Sequence, residues 1–238
     1  MKKAIIIGAS SGIGRGLAKL LVENGYKVGI TGRRSELLAR LKRESPDLFV
    51  TKSFDITDTT STVEKMEELT TELGGLDLIV ICSGSGDLND NLDFTIEKLT
   101  IDTNVLGFTC VADWAFNFFK KQKAGHVVAI SSVSGLRGSR LAPSYNASKA
   151  FQINYLEALR QKAAFLKIPL DVTDVRPGFV DTGMAKGKVR FWVASVEKAA
   201  QQIYDAIIAK KQIVYITRRW RFIAAILTRI PGVLYNRM

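Results

Sequence analysis

The feature that most constrains this chain stands near its start. A short apolar run, Ala4-Ile5-Ile6-Ile7, breaks into Gly8-Ala9-Ser10-Ser11-Gly12-Ile13-Gly14 and then into Arg15-Gly16-Leu17-Ala18, which has helical character. A strand that turns on glycines straight into a helix brings its backbone close to whatever lies above the turn. The free N–H groups of the helix start attract an anion such as a pyrophosphate. Gly8, Ser10, Ser11, Gly12, Ile13 and Gly14 are therefore candidate contacts for a dinucleotide. The spacing is G-x-x-x-G-x-G rather than the general G-x-G-x-x-G, so taken alone it also suits an ordinary tight turn.

The alternation begun there continues along the chain. Strands are expected at Ala4–Ile7, Val28–Thr31, Leu48–Phe54, Leu78–Cys82, His126–Ser131, Leu170–Val175 and Ile213–Ile216. Helical periodicity is expected at Gly12–Asn24, Glu36–Glu44, Asp58–Leu73, Asn104–Lys121, Ser144–Leu166 and Val196–Lys210, with Asp58 a good N-cap. Mostly unbroken apolar strands alternating with helices predict an α/β fold. It is a doubly wound parallel sheet, the Rossmann arrangement, of about seven strands with helices on both faces. Such sheets bind ligands at the carboxyl ends of their strands. Residues 1–217 read as one domain and 218–238 as a basic amphipathic C-terminal segment.

Composition narrows the function classes. At 238 residues, 47% hydrophobic and 24% charged, the chain can bury a large core and lacks the signature of disorder. Cys82 and Cys110 form neither a metal-ligand spacing nor a disulfide framework, which points to a reducing compartment. The apolar run before Gly8 is too short for a signal peptide, so a cytoplasmic location is expected. Most of the net charge of +11 lies after residue 183. No zinc-finger spacing or RNA-binding aromatic motif accompanies it, so nucleic acid is not the expected partner.

In the last segment, Trp220, Ile223, Leu227 and Ile230 share one helical face, with Arg218, Arg221 and Arg229 largely opposite. That pattern suits a lid over substrate, an oligomer contact or a peripheral contact with anionic lipid, but it is too short to span a bilayer. Before it, Met184, Phe191 and Trp192 suggest an apolar pocket wall, whereas Lys186, Lys188 and Arg190 suit solvent or an anionic head group.

Two patterns carry chemistry. At the end of the second strand, Thr31-Gly32-Arg33-Arg34 has no acid before Glu36, where an acid would hold the ribose of NAD; Arg33 can instead pair with a 2′-phosphate, favouring NADP(H) over NAD(H). Tyr145-Asn146-Ala147-Ser148-Lys149 places a tyrosine and a lysine on one helical face. With six tyrosines and nineteen lysines, about half a pair at this spacing is expected by chance, so context must carry the inference. The context is Ser132, in Ser131-Ser132-Val133-Ser134-Gly135, at the carboxyl end of the fifth strand.

With these residues in order, the stretch from Ala4 to about Ile208 resembles the short-chain dehydrogenase/reductase family of the Tyr-x-x-x-Lys type. The resemblance also takes in Asp55, Asn104 in Asn104-Val105-Leu106-Gly107, Pro177-Gly178 and Thr182. It implies a catalytic group of Asn104, Ser132, Tyr145 and Lys149. Asp55 and Ile56 would meet the adenine, Thr182 the nicotinamide amide, and Lys149 the nicotinamide ribose. Gly84, Pro177 and Gly178 would complete the cofactor site, and Asn104 would help hold a water leading from the lysine to solvent. A homodimer or homotetramer is expected.

The reaction expected is hydride transfer between a nicotinamide and a carbonyl or secondary alcohol of a moderately apolar small molecule. Tyr145 would exchange the proton, Ser132 would steady the oxygen, and the Lys149 charge would lower the tyrosine pKa. The chain departs from the family at Ile81-Cys82-Ser83-Gly84, where Asn-Asn-Ala-Gly is usual. That departure and the basic tail keep an alternative open: a non-catalytic NADP(H)-binding sensor or membrane-peripheral scaffold. Cys82 is expected to be inert and His126 structural.

Overall fold

The computed structural model describes residues 1–183 and 191–237. Its strands are β1 (Lys2–Ile7), β2 (Tyr26–Gly32), β3 (Phe49–Ser53), β4 (Leu78–Ile81), β5 (Gly125–Ile130), β6 (Leu170–Pro177) and β7 (Ile213–Ile216). They pair in parallel in the order β3-β2-β1-β4-β5-β6-β7. The chain runs outward from β1 to β3, then returns to lay β4 on the other side of β1. The β1/β4 boundary is thus the switch point at which open α/β sheets form a ligand crevice.

Both faces of this sheet are covered, which is why its strands read as unbroken apolar runs. Ala4, Ile6, Val28, Ile30, Val80 and Val128 face one core with helices α1 (Gly12–Glu23), α2 (Ser35–Glu44) and α7 (Val196–Ile208). Ile5, Ile7, Ile79, Ile81, Val127 and Ala129 face the other, packed by α3 (Thr59–Leu73), α5 (Phe108–Gln122) and α6 (Pro143–Phe165). Asp58 caps α3 by accepting from Ser61 N at 3.1 Å. Pro143 opens α6, where its fixed φ costs nothing and its missing N–H is not needed.

One helix went unforeseen. The segment α4 (Phe94–Ile101) is capped by Asp93, whose carboxylate accepts from Thr95 N at 2.8 Å, and it runs through a wider π-helical turn at Asp102–Gly107 into α5. Asn104, expected at the start of a helix, therefore sits in the middle of a continuous helical run. The signal was weak because α4 mixes Thr and Ile with a largely exposed face, Phe94 being 74% exposed, so no apolar stripe marks it.

The C-terminal helices α8 (Trp220–Leu227) and α9 (Gly232–Tyr235) fold back over the turn that follows β5. Trp220 and Ala224 are buried. The Arg137 guanidinium donates to the carbonyls of Leu227 and Ile230 at 3.3 and 3.0 Å and lies 4.3 Å from the Tyr235 ring centre. Tyr235 in turn donates to the Gly138 carbonyl at 2.5 Å. Met184, Lys186, Lys188 and Arg190 lie outside the described residues. Among the described residues no helix is long and apolar enough to cross a membrane.

Candidate active site

The site has a backbone-built end and a side-chain-built end. At the first, Gly8 leaves β1 with φ +92°, and its N–H and that of Ala9 both donate to the Thr31 carbonyl, at 3.1 and 2.8 Å. A Cβ on Gly8 would stand 2.7 Å from Ser83 N, and one on Gly14 would run into the Gly8 carbonyl oxygen. The turn, the helix start and the loop after β4 thus meet at distances that only glycine allows. Gly12 lies under the Thr182 side chain, with Ile13 half-buried beside it. Gly84 lies in the half-buried loop after β4, next to Ser83, whose buried hydroxyl finds no hydrogen-bond partner among the described residues. A glycine cradle at a helix N-terminus with an orphaned hydroxyl beside it fits the pyrophosphate of a dinucleotide.

The two arginines after β2 point different ways. Arg33 reaches Asp55 at 3.4 Å, and both side chains are exposed. Arg34, which sequence reasoning passed over, donates to the hydroxyls of Ser10 and Ser11 at 2.8 and 2.7 Å. It holds a fixed positive charge on the rim of the glycine turn. The signal was present in the same Thr31-Gly32-Arg33-Arg34 stretch, but spacing cannot say which of two adjacent arginines turns inward. Asp55 also accepts from Thr57 N at 3.1 Å, and Ile56 is buried.

At the other end, β5 delivers Ser132, which opens a 3-10 turn at Val133–Leu136 and accepts from Ser134 N at 3.0 Å. Its own hydroxyl lies 3.5 Å from the Pro177 carbonyl. Pro177 ends β6 and Gly178 donates to the Ile216 carbonyl at 2.7 Å, so that pair is tied to the last strand. Tyr145 and Lys149 come from the first two turns of α6. The Tyr145 ring packs close against Gly86, where an added Cβ would run into ring atoms Cδ2, Cε2 and Cγ; no sequence pattern marked this second glycine of the β4 loop. Ser132 stands close enough to the Tyr145 hydroxyl to ease its ionisation.

Asn104 is fully buried and clamps this loop to α6. It accepts from Ser85 N at 2.8 Å, donates to the Ser85 carbonyl at 2.6 Å and donates to the Ser148 hydroxyl at 3.0 Å. Lys149, also buried, donates to the Ile130 carbonyl and to Gln152 Oε1, both at 2.9 Å. Gln152 donates in turn to the Asn104 carbonyl at 2.9 Å. The structure therefore brings Asn104, Ser132, Tyr145 and Lys149 to one place from three separate stretches of chain.

The electrostatics correct one expectation. The Tyr145 hydroxyl is not pulled down by Lys149: burial raises its pKa above 10, and the contact with Ser132 opposes that rise. Loss of water around the hydroxyl outweighs the other influences there; the Lys149 ammonium, 5.9 Å from the Tyr145 ring centre, donates to Ile130 and Gln152. Lys149 itself is pulled down to about 8 by burial, against the opposing influence of Cys82 and Asp174. Burial pushes the Cys82 thiol up to about 11, so it is an inert core group. His126 Nε2 donates to Thr173 Oγ1 at 2.8 Å, because the Thr173 hydrogen is committed to the Lys211 carbonyl at 2.5 Å; burial holds the histidine down to about 4.

A Rossmann-type sheet with a glycine turn at its switch point, and a serine, tyrosine and lysine gathered at its strand ends, defines the class of nucleotide-binding α/β enzymes. The family model described as short chain dehydrogenase matches residues 2–191, and the chain belongs to that family of oxidoreductases. An uncharacterized oxidoreductase of Myxococcus xanthus is 36% identical over 184 residues, covering 75% of this chain and 72% of its own. One of Mycobacterium tuberculosis is 31% identical over 191 residues, covering 77% and 75%. Among solved structures, LigD in its apo form, from Sphingobium sp. strain SYK-6, superposes with a TM-score of 0.82 at 23% identity over 97% of this chain and 98% of that one. ElxO with NADP bound superposes with a TM-score of 0.78 at 23% identity over 90% and 96%. At that identity the two structures speak for the fold.

Proposed function

We propose that this oxidoreductase reduces a carbonyl group of a moderately apolar small molecule at the expense of NADPH. The observation that carries the proposal is the Tyr145 ring seated on Gly86, with Ser132 in contact and Lys149 one helical turn along, beside the glycine cradle. In this reading Gly8, Ser10, Ser11, Gly12, Ile13, Gly14, Ser83 and Gly84 hold the pyrophosphate region. Asp55 and Ile56 border the adenine, and Pro177, Gly178 and Thr182 the nicotinamide end. The nicotinamide supplies the hydride when bound.

The chain's own groups manage the proton. A tyrosine kept protonated by burial is suited to donating to the carbonyl oxygen as negative charge builds there, and Ser132 offers that oxygen a second hydrogen bond. Two of the three Lys149 donors are committed, which leaves one for the nicotinamide ribose. Arg34 and Arg33 at the rim of the turn, with no acid before Glu36, favour the 2′-phosphate of NADP(H). The NADP of ElxO is consistent with that choice.

Phe179, Phe191, Trp192 and Trp220 form a cluster of edge and stacked contacts beside Gly178, an apolar wall that suits an apolar substrate, with residues 218–238 acting as its lid. The exposed Ile101 and Leu106, the latter near the half-buried Phe151, suit a subunit contact in a homodimer or homotetramer. The test follows NADPH consumption with a panel of aldehydes, ketones and 3-oxoacyl compounds, for the wild type and Tyr145→Phe. Turnover that the variant loses is the expected result; tight NADPH binding without any turnover by the wild type would overturn the proposal.

A further inference from the structure

We propose that Gln152 is a positioning residue for the reaction, holding the Lys149 ammonium by a side-chain bridge that starts from the Asn104 main-chain carbonyl. The inference rests on the reading of Lys149 as part of the active site. Gln152 lies three residues beyond Lys149 on α6, so the two side chains share a helical face. It is 1% exposed, among the most buried polar side chains of the protein, and both ends of its amide are used. Oε1 accepts from Lys149 Nζ and Nε2 donates to the Asn104 carbonyl, each at 2.9 Å.

The bridge admits one orientation of the amide. A carbonyl oxygen only accepts and an ammonium only donates, so turning the amide over would set NH2 against NH3+ and oxygen against oxygen. A glutamine is therefore matched to its two neighbours in a way that no apolar or acidic side chain of the same length is. As a neutral acceptor it fixes the ammonium without cancelling its charge, which stays available toward a bound ligand. An amide also does not readily pass a proton on, so Lys149 is held in place rather than linked to solvent along this direction.

The other charged and titratable groups around Lys149 do not supply this contact. Tyr145 lies one turn back on the same helix, and the Cys82 thiol beyond β4 is kept neutral by burial. Asp174 on β6 is engaged by Arg176 Nε at 2.7 Å and by the Ser131 hydroxyl. Among the described residues, Gln152 is the side chain that hydrogen-bonds the Lys149 ammonium directly, and the Ile130 carbonyl is its main-chain counterpart.

The experiment compares Gln152→Met, which keeps length and removes both polar ends, with Gln152→Glu, which keeps the acceptor and adds a charge. Thermal melting checks folding, and Gln152→Asn, too short to reach both groups, replaces the Met variant if that one fails to fold. The Lys149 Nζ titration is read by NMR on 15N-labelled lysine, assigned by its loss in Lys149→Met, together with the pH profiles of kcat and of the KM for NADPH. Losing an acceptor lowers the ammonium pKa and gaining a carboxylate raises it. The Nζ titration and the high-pH limb of kcat should therefore move down by about one pH unit in the Met variant and up in the Glu variant.

With Met, kcat should also fall by about tenfold while the KM for NADPH changes little. Unmoved Nζ titrations in both variants, or equal losses of kcat with the pH limb in place, would reduce Gln152 to a packing residue and overturn the proposal. Because the NMR titration needs no turnover, a protein without reductase activity would refute the proposed function and still leave the bridge tested.

Discussion

The two ends of this site are made of different material. The proposed cofactor end is backbone: Gly8, Gly12 and Gly14 act by what they lack, and one strand, one turn and one helix contiguous in sequence supply them. The proposed catalytic end is side chain: Asn104, Ser132, Tyr145, Lys149 and Gln152 come from the α4–α5 run, β5 and α6, and buried hydrogen bonds join Lys149 through Gln152 to Asn104. The difference teaches where each end is fragile. A backbone cradle tolerates change at its rim and fails when a methyl group enters it. A buried polar network fails when any member leaves a partner unpaired.

The strongest test of the contrast is Tyr145→Phe. Removing the hydroxyl should lower kcat by about 10² to 10⁴-fold while the NADPH dissociation constant, measured by fluorescence titration, stays within about threefold. A parallel loss of cofactor binding would break the division into two ends. Gly14→Ala should do the converse. Its Cβ meets the Gly8 carbonyl oxygen, so the turn must open, lowering stability by about 2–3 kcal/mol in denaturant melts and NADPH affinity by tenfold or more. A variant that binds NADPH normally would mean the cradle is not where the pyrophosphate sits.

His126, at the opposite end of the sheet from both halves, sharpens the comparison through pH. Its folded pKa of about 4 lies below the ordinary 6.5, so the unfolded chain binds the extra proton and stability falls as pH drops through this window. Relative to His126→Leu, the wild type should lose about 2 kcal/mol between pH 7 and pH 5, with catalysis per folded molecule unaffected by the substitution. Smallest is the rim. Arg34→Ala should weaken NADPH by about five- to tenfold and NADH hardly at all, whereas Arg33→Ala, paired to an exposed Asp55, should do less. Equal effects of the two arginines on both cofactors would remove the distinction drawn between them.

Most of the fold was legible. Apolar runs such as Ala4–Ile7 and Leu78–Ile81 are buried on both faces, so their pattern announces a parallel sheet regardless of neighbours. Asp58 was readable as a cap because capping is a contact within four residues. The helix α4 was not, because its stability comes from packing against α6 rather than from a stripe of its own. The amphipathic tail was seen, but its covered face became known only with Trp220 beside Gly178 and Arg137 on the last carbonyls.

By itself, the sequence determined the elements, their order and the residue types at the glycine turn and on the first turns of α6, because these follow from local periodicity and from contacts a few residues apart. Tertiary structure alone decided the rest: that Arg34 rather than Arg33 holds Ser10 and Ser11, that Gly86 floors Tyr145, and that Gln152 joins Asn104 to Lys149. It also decided that burial, not the lysine, governs the tyrosine. Each of these depends on the direction of a side chain and the water it has lost, and both are set by packing between segments that lie far apart in sequence.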